Sequence, residues 1–242
     1  GEMTMLAENP GNIQGWMTDH DGKLRIAMAI VDGINTQLLY RDTEAEEFRP
    51  LLTTSFKESM SPEFFTFDNK KLYATSNIGR DKSVAVVFDP ATATETDVLF
   101  ENEDYDLSGL SYSRKRKVLT AASYVSWKRE RHFFDDQTKN MFAELEKLLP
   151  GYELSVSSSD KAEEKFIVRT YSDKSLGAYY FYDLKKNTIS KIQEVSPWID
   201  ENHMADIKPI QYRARDGKII HGYLTLPKGV DAKNLPDRKS VV

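Results

Sequence analysis

Serine, histidine and carboxylate side chains are the groups in this sequence that could carry hydrolytic chemistry, and their spacing argues against a catalytic site. The 242 residues include no cysteine, which removes thiol nucleophiles, disulfides and cysteine-ligated metals. A serine nucleophile of the α/β-hydrolase kind needs G-x-S-x-G, because its Oγ must stand on a strained strand-to-helix turn. That motif is absent. The nearest approach, G-L-S-Y-S at Gly109–Ser113, lacks the closing glycine and falls at the start of an extended run, so Ser111 reads as a strand residue. His20, His132, His203 and His221 are scattered, with no H-E-x-x-H and no His-x-His pair. They read as turn or surface residues, because metal binding needs several converging ligands. The sequence therefore assigns no catalytic residue, no metal site, no binding residue and no cofactor.

Two basic clusters, Arg114-Lys115-Arg116-Lys117 and Lys128-Arg129-Glu130-Arg131, could attract phosphate or an acidic partner. The first lies between extended runs, where a polar hairpin tip is expected. The net charge of -5 gives no support to a nucleic-acid or anionic-membrane partner. No apolar run approaches the length of a membrane span. Trp16, Trp127 and Trp198 could line a pocket, but burial between sheets is the expectation, since each removes a large apolar area from water. The absence of cysteine does not choose between cytoplasm and periplasm, and the localisation stays open.

The elements that would have to position a site are strands. Hydrophobic residues make up 40% of the chain, and the 12 Tyr and 12 Phe favour strands over disorder. Extended runs come in sets. Gly15 to Asp19, Lys23 to Val31, Thr36 to Arg41 and Phe48 to Phe56 form the first; Phe64 to Asp68, Lys71 to Asn77, Ser83 to Asp89 and Thr94 to Phe100 the second. The third has Leu107 to Ser113, Val118 to Trp127 and Arg129 to Asp135. Its fourth strand gives way to an amphipathic helix, with Met141, Leu145, Leu148 and Leu149 at helical spacing and Pro150-Gly151 as the stop. Tyr152 to Ser157, Lys165 to Tyr171, Ala178 to Asp183 and Thr188 to Val195 complete a fourth set. The period is on the order of the 40–50 residues of a four-stranded propeller blade. Asp32, Asp89, Asp135 and Asp183 each close an apolar strand, where an Asp can bond its own turn backbone. The expected fold is all-β, a partial propeller of about four blades from Gly11 to Val195.

Beyond the fourth set, two alternating runs, Ile210 to Arg215 and Ile219 to Leu226, flank Asp216-Gly217. Asp-Gly between alternating runs predicts a hairpin with a tight primed turn and Gly217 at positive φ. Two strands cannot bury a core alone.

Four stretches carry a family resemblance: G-W-M-T-D-H-D-G-K-L-R at Gly15–Arg25, L-Y-A-T-S-N-I-G-R-D at Leu72–Asp81, Y-Y-F-Y-D at Tyr179–Asp183 and, most specifically, R-D-G-K-I-I-H-G-Y-L-T-L-P at Arg215–Pro227. Together they resemble the prolyl oligopeptidase (S9) family of serine peptidases, in particular its acylaminoacyl-peptidase and dipeptidyl-aminopeptidase-like branch. That resemblance implies a propeller that caps an α/β-hydrolase domain, with the Arg-Asp-Gly hairpin where the chain passes from one to the other. It implies a propeller segment over residues 1–206, and a linker and truncated start of the hydrolase domain over 207–242. Some dipeptidyl peptidases of the family hold a substrate amino terminus with paired propeller glutamates. Glu46-Glu47 invites the comparison, but it lies in an acid-rich run, Asp42 to Glu47, that reads as a solvated loop.

The implied function is a substrate-gating lid from a serine peptidase acting on short peptides, itself without the Ser/His/Asp triad. Its partners would be the missing hydrolase domain, the short peptide substrate of the parent and, with sheet faces left open, a second copy of the chain. The alternative is a non-enzymatic TolB- or WD-like propeller that binds proteins. Against it stands the Arg215–Pro227 hairpin, which a stand-alone propeller has no need of.

Overall fold

Alternation of apolar and polar residues, broken by Asp, Asn and Gly turns, folds the chain into consecutive antiparallel sheets. The computed structural model describes residues 2–229 and Lys233. The first sheet is β1 (Ile13–Thr18), β2 (Leu24–Val31), β3 (Asn35–Tyr40) and β4 (Arg49–Thr54), in chain order. The second is β5 (Met60–Phe65), β6 (Leu72–Ser76), β7 (Val84–Asp89) and β8 (Thr94–Phe100), again in order. The third holds three strands, β9 (Leu107–Ser113), β10 (Val118–Val125) and β11 (Arg129–Phe133), and leads into helix α1 (Asp136–Leu148). The fourth is β12 (Glu153–Ser159), β13 (Lys165–Tyr171), β14 (Ala178–Asp183) and β15 (Thr188–Glu194), and a separate hairpin pairs β16 (Ile207–Arg213) with β17 (Ile219–Thr225). The expected all-β architecture is therefore observed, with the helix in place of a fourth strand in the third set. The chain divides into two compact units between Thr138 and Lys139.

In the first unit the sheets pack face to face. Ile26, Leu38 and Tyr40 of the first sheet share a core with Phe65, Leu72, Val86 and Phe88 of the second. Ala85 turns the other way and meets Leu107 and Ala122 of the third. Both faces of β7 are thus covered. This is why β7 reads as an unbroken apolar run, V-A-V-V-F, rather than alternating with polar residues. In the second unit Leu154, Phe166, Val168, Ala178 and Tyr182 are buried, as are Met141, Phe142 and Leu145 of α1. The Tyr182 hydroxyl bonds Asn187, whose amide in turn reaches Glu144 of the helix.

Three of the four strand-closing aspartates bond local backbone. Asp89 accepts from the Ala91 amide at 2.9 Å and Asp183 from the Lys186 amide at 3.0 Å. Asp135 caps α1 rather than a hairpin: its carboxylate accepts from the Thr138 amide at 2.8 Å and from the Thr138 hydroxyl at 2.6 Å. It also pairs with Arg116 at 2.5 Å. Burial pushes this carboxyl up, but Arg116 and the two Thr138 donors outweigh it and hold it below the ordinary aspartate range. A carboxyl depressed in the folded state contributes stability at pH values above its unfolded pKa, and loses it as pH falls through the folded value. Asp135→Ala should therefore cost about 2 kcal/mol near neutral pH, from the lost cap and the lost charge partner. Denaturant midpoints for both proteins should converge at acid pH; a constant gap down to pH 2 would contradict this.

Four details differ from the sequence reading. β5 begins at Met60, not Phe64, because Pro62 sits on a strand paired only on one side, where its missing N–H is harmless. Phe67 and Asp68 lie instead in the turn closed by the Thr66 amide on the Lys71 carbonyl. Helix α1 starts five residues before Met141, at Asp136, and buries Phe142 while leaving Leu148 partly exposed. The tryptophans are not buried. Trp16 lies against Phe48 with 38% exposure, Trp127 is at a hairpin tip under the Lys128 ammonium, and Trp198 is 78% exposed. Finally, the β16–β17 turn is a three-residue loop. The Ala214 amide bonds the Lys218 carbonyl and the Gly217 amide bonds the Ala214 carbonyl. Gly217 has the expected positive φ of 86°, but Asp216 does not, so this is a type I turn with a glycine bulge rather than a primed turn. Both residues of a positive-φ Asp-Gly pair occur at Asp32-Gly33 instead.

Candidate functional site

Ser111 lies inside β9, in register with Ala121, and its Oγ is 2.8 Å from Thr120 Oγ1. It is strand-bound, with none of the geometry of a nucleophile elbow. His20 is in a turn as expected, but it is packed rather than free. Its ring stacks on Phe67 at 5.0 Å and meets the edge of Tyr112, and Nε2 lies 2.9 Å from the Phe65 carbonyl. His132 stacks on Phe100 at 4.1 Å. His203 and His221 are exposed. None of these contacts includes Ser111. Among the described residues no three ligating side chains converge as a metal site would require.

Glu46 and Glu47 stand in solvent on the loop between β3 and β4. The loop is held through its backbone: the buried Arg41 guanidinium donates to the carbonyls of Glu44 and Glu46 and packs over Phe48. The Arg114–Lys117 cluster is the expected hairpin tip between β9 and β10, and Arg116 is taken up by the α1 cap.

A cleft lined by convergent polar groups lies in the second unit, where the segment after β15 lies against one end of the fourth sheet. It encloses about 290 Å³. Its floor is tight. Gly177 has φ +78°, and a Cβ there would sit 1.8 Å from the Thr170 carbonyl oxygen. The Thr170 hydroxyl, also in the floor, accepts from the Ala178 amide at 3.0 Å and donates to the Ala178 carbonyl. One wall is a short 3₁₀ turn, Glu201–His203, capped by Asp200, whose carboxylate accepts from the Asn202 amide at 2.9 Å. Glu201 accepts from the Tyr152 hydroxyl at 2.8 Å. The Ser175 hydroxyl, and after it Tyr152, hold the Glu201 carboxyl below the ordinary range, so it is ionised. The same bond, with burial, pushes the Tyr152 hydroxyl up to about 12, so it remains a donor. Across the cleft Lys191 pairs with Glu194 at 2.5 Å. Ser196, 8% exposed, also lines the cleft.

Sequence reasoning missed this cleft. Its groups span Tyr152 to Asn202 and belong to no motif, and sheet pairing alone brings them together. The one local signal was Asp200, two residues before the amide it caps.

No family model matches the sequence. Among curated proteins the chain is similar to dipeptidyl aminopeptidase BIII of Pseudoxanthomonas mexicana, with 27% identity over 241 residues, 97% of this chain and 34% of that protein. The solved structures agree on the fold. One of two prolyl endopeptidases studied for inter-domain dynamics superposes with a TM-score of 0.63 at 15% identity, covering 94% of this chain and 33% of that one. Prolyl oligopeptidase B from Galerina marginata, bound to a 35mer substrate, gives 0.64 at 14% identity, over 90% and 31%. A puromycin hydrolase mutant gives 0.56 at 14%, over 87% and 33%. The chain spans about a third of the length of each relative it matches. Its four-sheet fold is that of the propeller domain of prolyl oligopeptidases.

Proposed function

We propose that this chain is the propeller wall of an S9-type serine peptidase acting on short peptides. In this reading it limits access to the active site and supplies no catalytic residue, and residues 207–242 open the hydrolase domain that does. The observation that carries the proposal is the β16–β17 hairpin. Its register places Ile210 and Tyr212 with Ile220 and Leu224 on one face, and Ile207 and Pro209 with Ile219 and Tyr223 on the other. Apart from Pro209 these are all among the large exposed hydrophobic residues of the chain. The first face is apolar apart from Lys208 and Gly222, and the second mixes its apolar residues with Gln211, Arg213, His221 and Thr225, a pattern suited to burial of the first face against a further layer. A TolB- or WD-like binding propeller gives no reason for such a pair. The similarity to a dipeptidyl aminopeptidase supports the peptidase reading.

Without a covering domain, the hairpin should seek a second copy of the chain. Light scattering after size exclusion should show mass rising with concentration toward a dimer. The triple variant Ile210→Ser, Tyr212→Ser, Leu224→Ser should remain monomeric while melting like the parent. A parent that is monomeric at every concentration would show that these faces need no cover, and the proposal would fail.

A further inference from the structure

Four large apolar side chains stand in water at one end of the fourth sheet. Leu176 is on the β13–β14 loop, and Trp198, Ile199 and Met204 are on the segment after β15, which the Val195 amide ties to the Gly177 carbonyl. Trp198 is 78% exposed. One exposed apolar residue is ordinary; four on two neighbouring segments mark an interaction surface. The segment is braced. The Ile199 amide donates to the Ser196 carbonyl and the Met204 amide to the Glu201 carbonyl, each at 3.1 Å, and the Tyr152 hydroxyl fastens Glu201 to the sheet. A surface held in place loses little freedom when it is covered.

The same two segments hold the base of the β16–β17 hairpin. The Ile207 amide donates to the Asp173 carboxylate at 2.7 Å, Lys174 pairs with Asp206 at 2.7 Å, and the Lys228 ammonium donates to the Asn202 carbonyl at 2.6 Å. Area then decides what the hairpin needs. Its apolar face, Ile210, Tyr212, Ile220 and Leu224, offers about 350 Å² of side chain still in water, where a stable interface takes about 800 Å² from each partner. Leu176, Trp198, Ile199 and Met204 add about 450 Å², nearly half of it from the indole, and bring the surface to that size.

We propose that these four residues and the apolar face of the hairpin form one docking surface, that a second copy of this chain occupies it, and that Trp198 is its anchor. The inference rests on the reading of the hairpin as a strand pair patterned for cover. Asp173, Lys174, Asp206 and Lys228 give the surface the polar rim usual around an apolar contact.

The test uses the full chain carrying Trp16→Phe and Trp127→Phe, so that fluorescence reports Trp198 alone. In dilute solution Trp198 should emit as a water-exposed indole. As light scattering shows the dimer forming, the emission should move to shorter wavelength and quenching by acrylamide should fall several-fold, with the same midpoint. Trp198→Ser, made in the otherwise unaltered chain, should raise the dimer dissociation constant about thirty-fold, as loss of a central aromatic anchor does. Phe56→Ser removes a side chain of similar exposure, 74%, from the first unit and should leave that constant unchanged. A dimer that forms with Trp198 still in water, and as tightly with Trp198→Ser, would overturn this inference and leave the hairpin reading standing. A chain monomeric at every concentration would end both. Equal weakening by Phe56→Ser would mean unspecific apolar association, and a shift of emission without a rise in mass would mean a cover from within the chain; either would overturn the second copy as the occupant.

Discussion

Gly177→Ala should unfold the fourth sheet under conditions in which the first unit stays folded. The argument rests on contact rather than on flexibility. A Cβ at this position would stand 1.8 Å from the Thr170 carbonyl oxygen and 2.4 Å from its carbon, both backbone atoms that cannot swing aside. The residue also has φ +78°, where any L side chain is strained by about 1–2 kcal/mol. Relief would require β13 and β14 to part at the position where Thr170 and Ala178 exchange hydrogen bonds. Overpacking of this kind belongs to the severe class of substitutions, at about 4 kcal/mol or more. Gly151→Ala supplies the control. Gly151 has φ +84°, close to that of Gly177, but a Cβ there meets nothing within 4 Å, so only the backbone strain of about 1–2 kcal/mol remains. Urea denaturation of the two variants should separate them by several-fold in lost stability. Equal losses would mean that the β13–β14 junction yields, and that the cleft floor is not rigid.

Much of this architecture is legible in the sequence, and the places where it is not have physical causes. Thr94–Phe100, Leu107–Ser113, Lys165–Tyr171 and Ala178–Asp183 begin and end where alternation and turn residues put them. The helix that replaces a strand was visible from Met141 and Leu145 at helical spacing. Its true start was hidden because Asp135 serves at once as strand end, helix cap and ion-pair partner. The start of β5 at Met60 is hard to read because a proline such as Pro62 is compatible with a strand only where one side is unpaired, which the sequence does not reveal. The tryptophans mislead for another reason: their size favours burial on average, but Trp127 at a hairpin tip has no opposing sheet to enter. The Asp216-Gly217 pair predicts a hairpin correctly and its turn type incorrectly, since Asp-Gly suits both a primed turn and a type I turn with a bulge. The polar cleft was beyond sequence reading because Tyr152, Ser196 and Glu201 meet only after four strands have paired.

The proposed reading carries one expectation about chemistry: as the propeller wall of a peptidase, this chain supplies none of the reacting groups. Acyl transfer by a serine peptidase needs an activated nucleophile and donors aimed at the developing oxyanion. Ser111 is fixed in a β-ladder and shares its hydroxyl with Thr120. His20 and His132 are held by aromatic stacking. The expected loss is therefore complete, with rates no higher than those of a heat-denatured sample. The most direct measurement is labelling of the purified chain with a serine-directed fluorophosphonate, alongside turnover of chromogenic dipeptidyl and acylaminoacyl substrates. The account predicts no labelled serine and no turnover above the denatured control. Stoichiometric labelling of Ser111 or any other serine, accompanied by turnover, would contradict it.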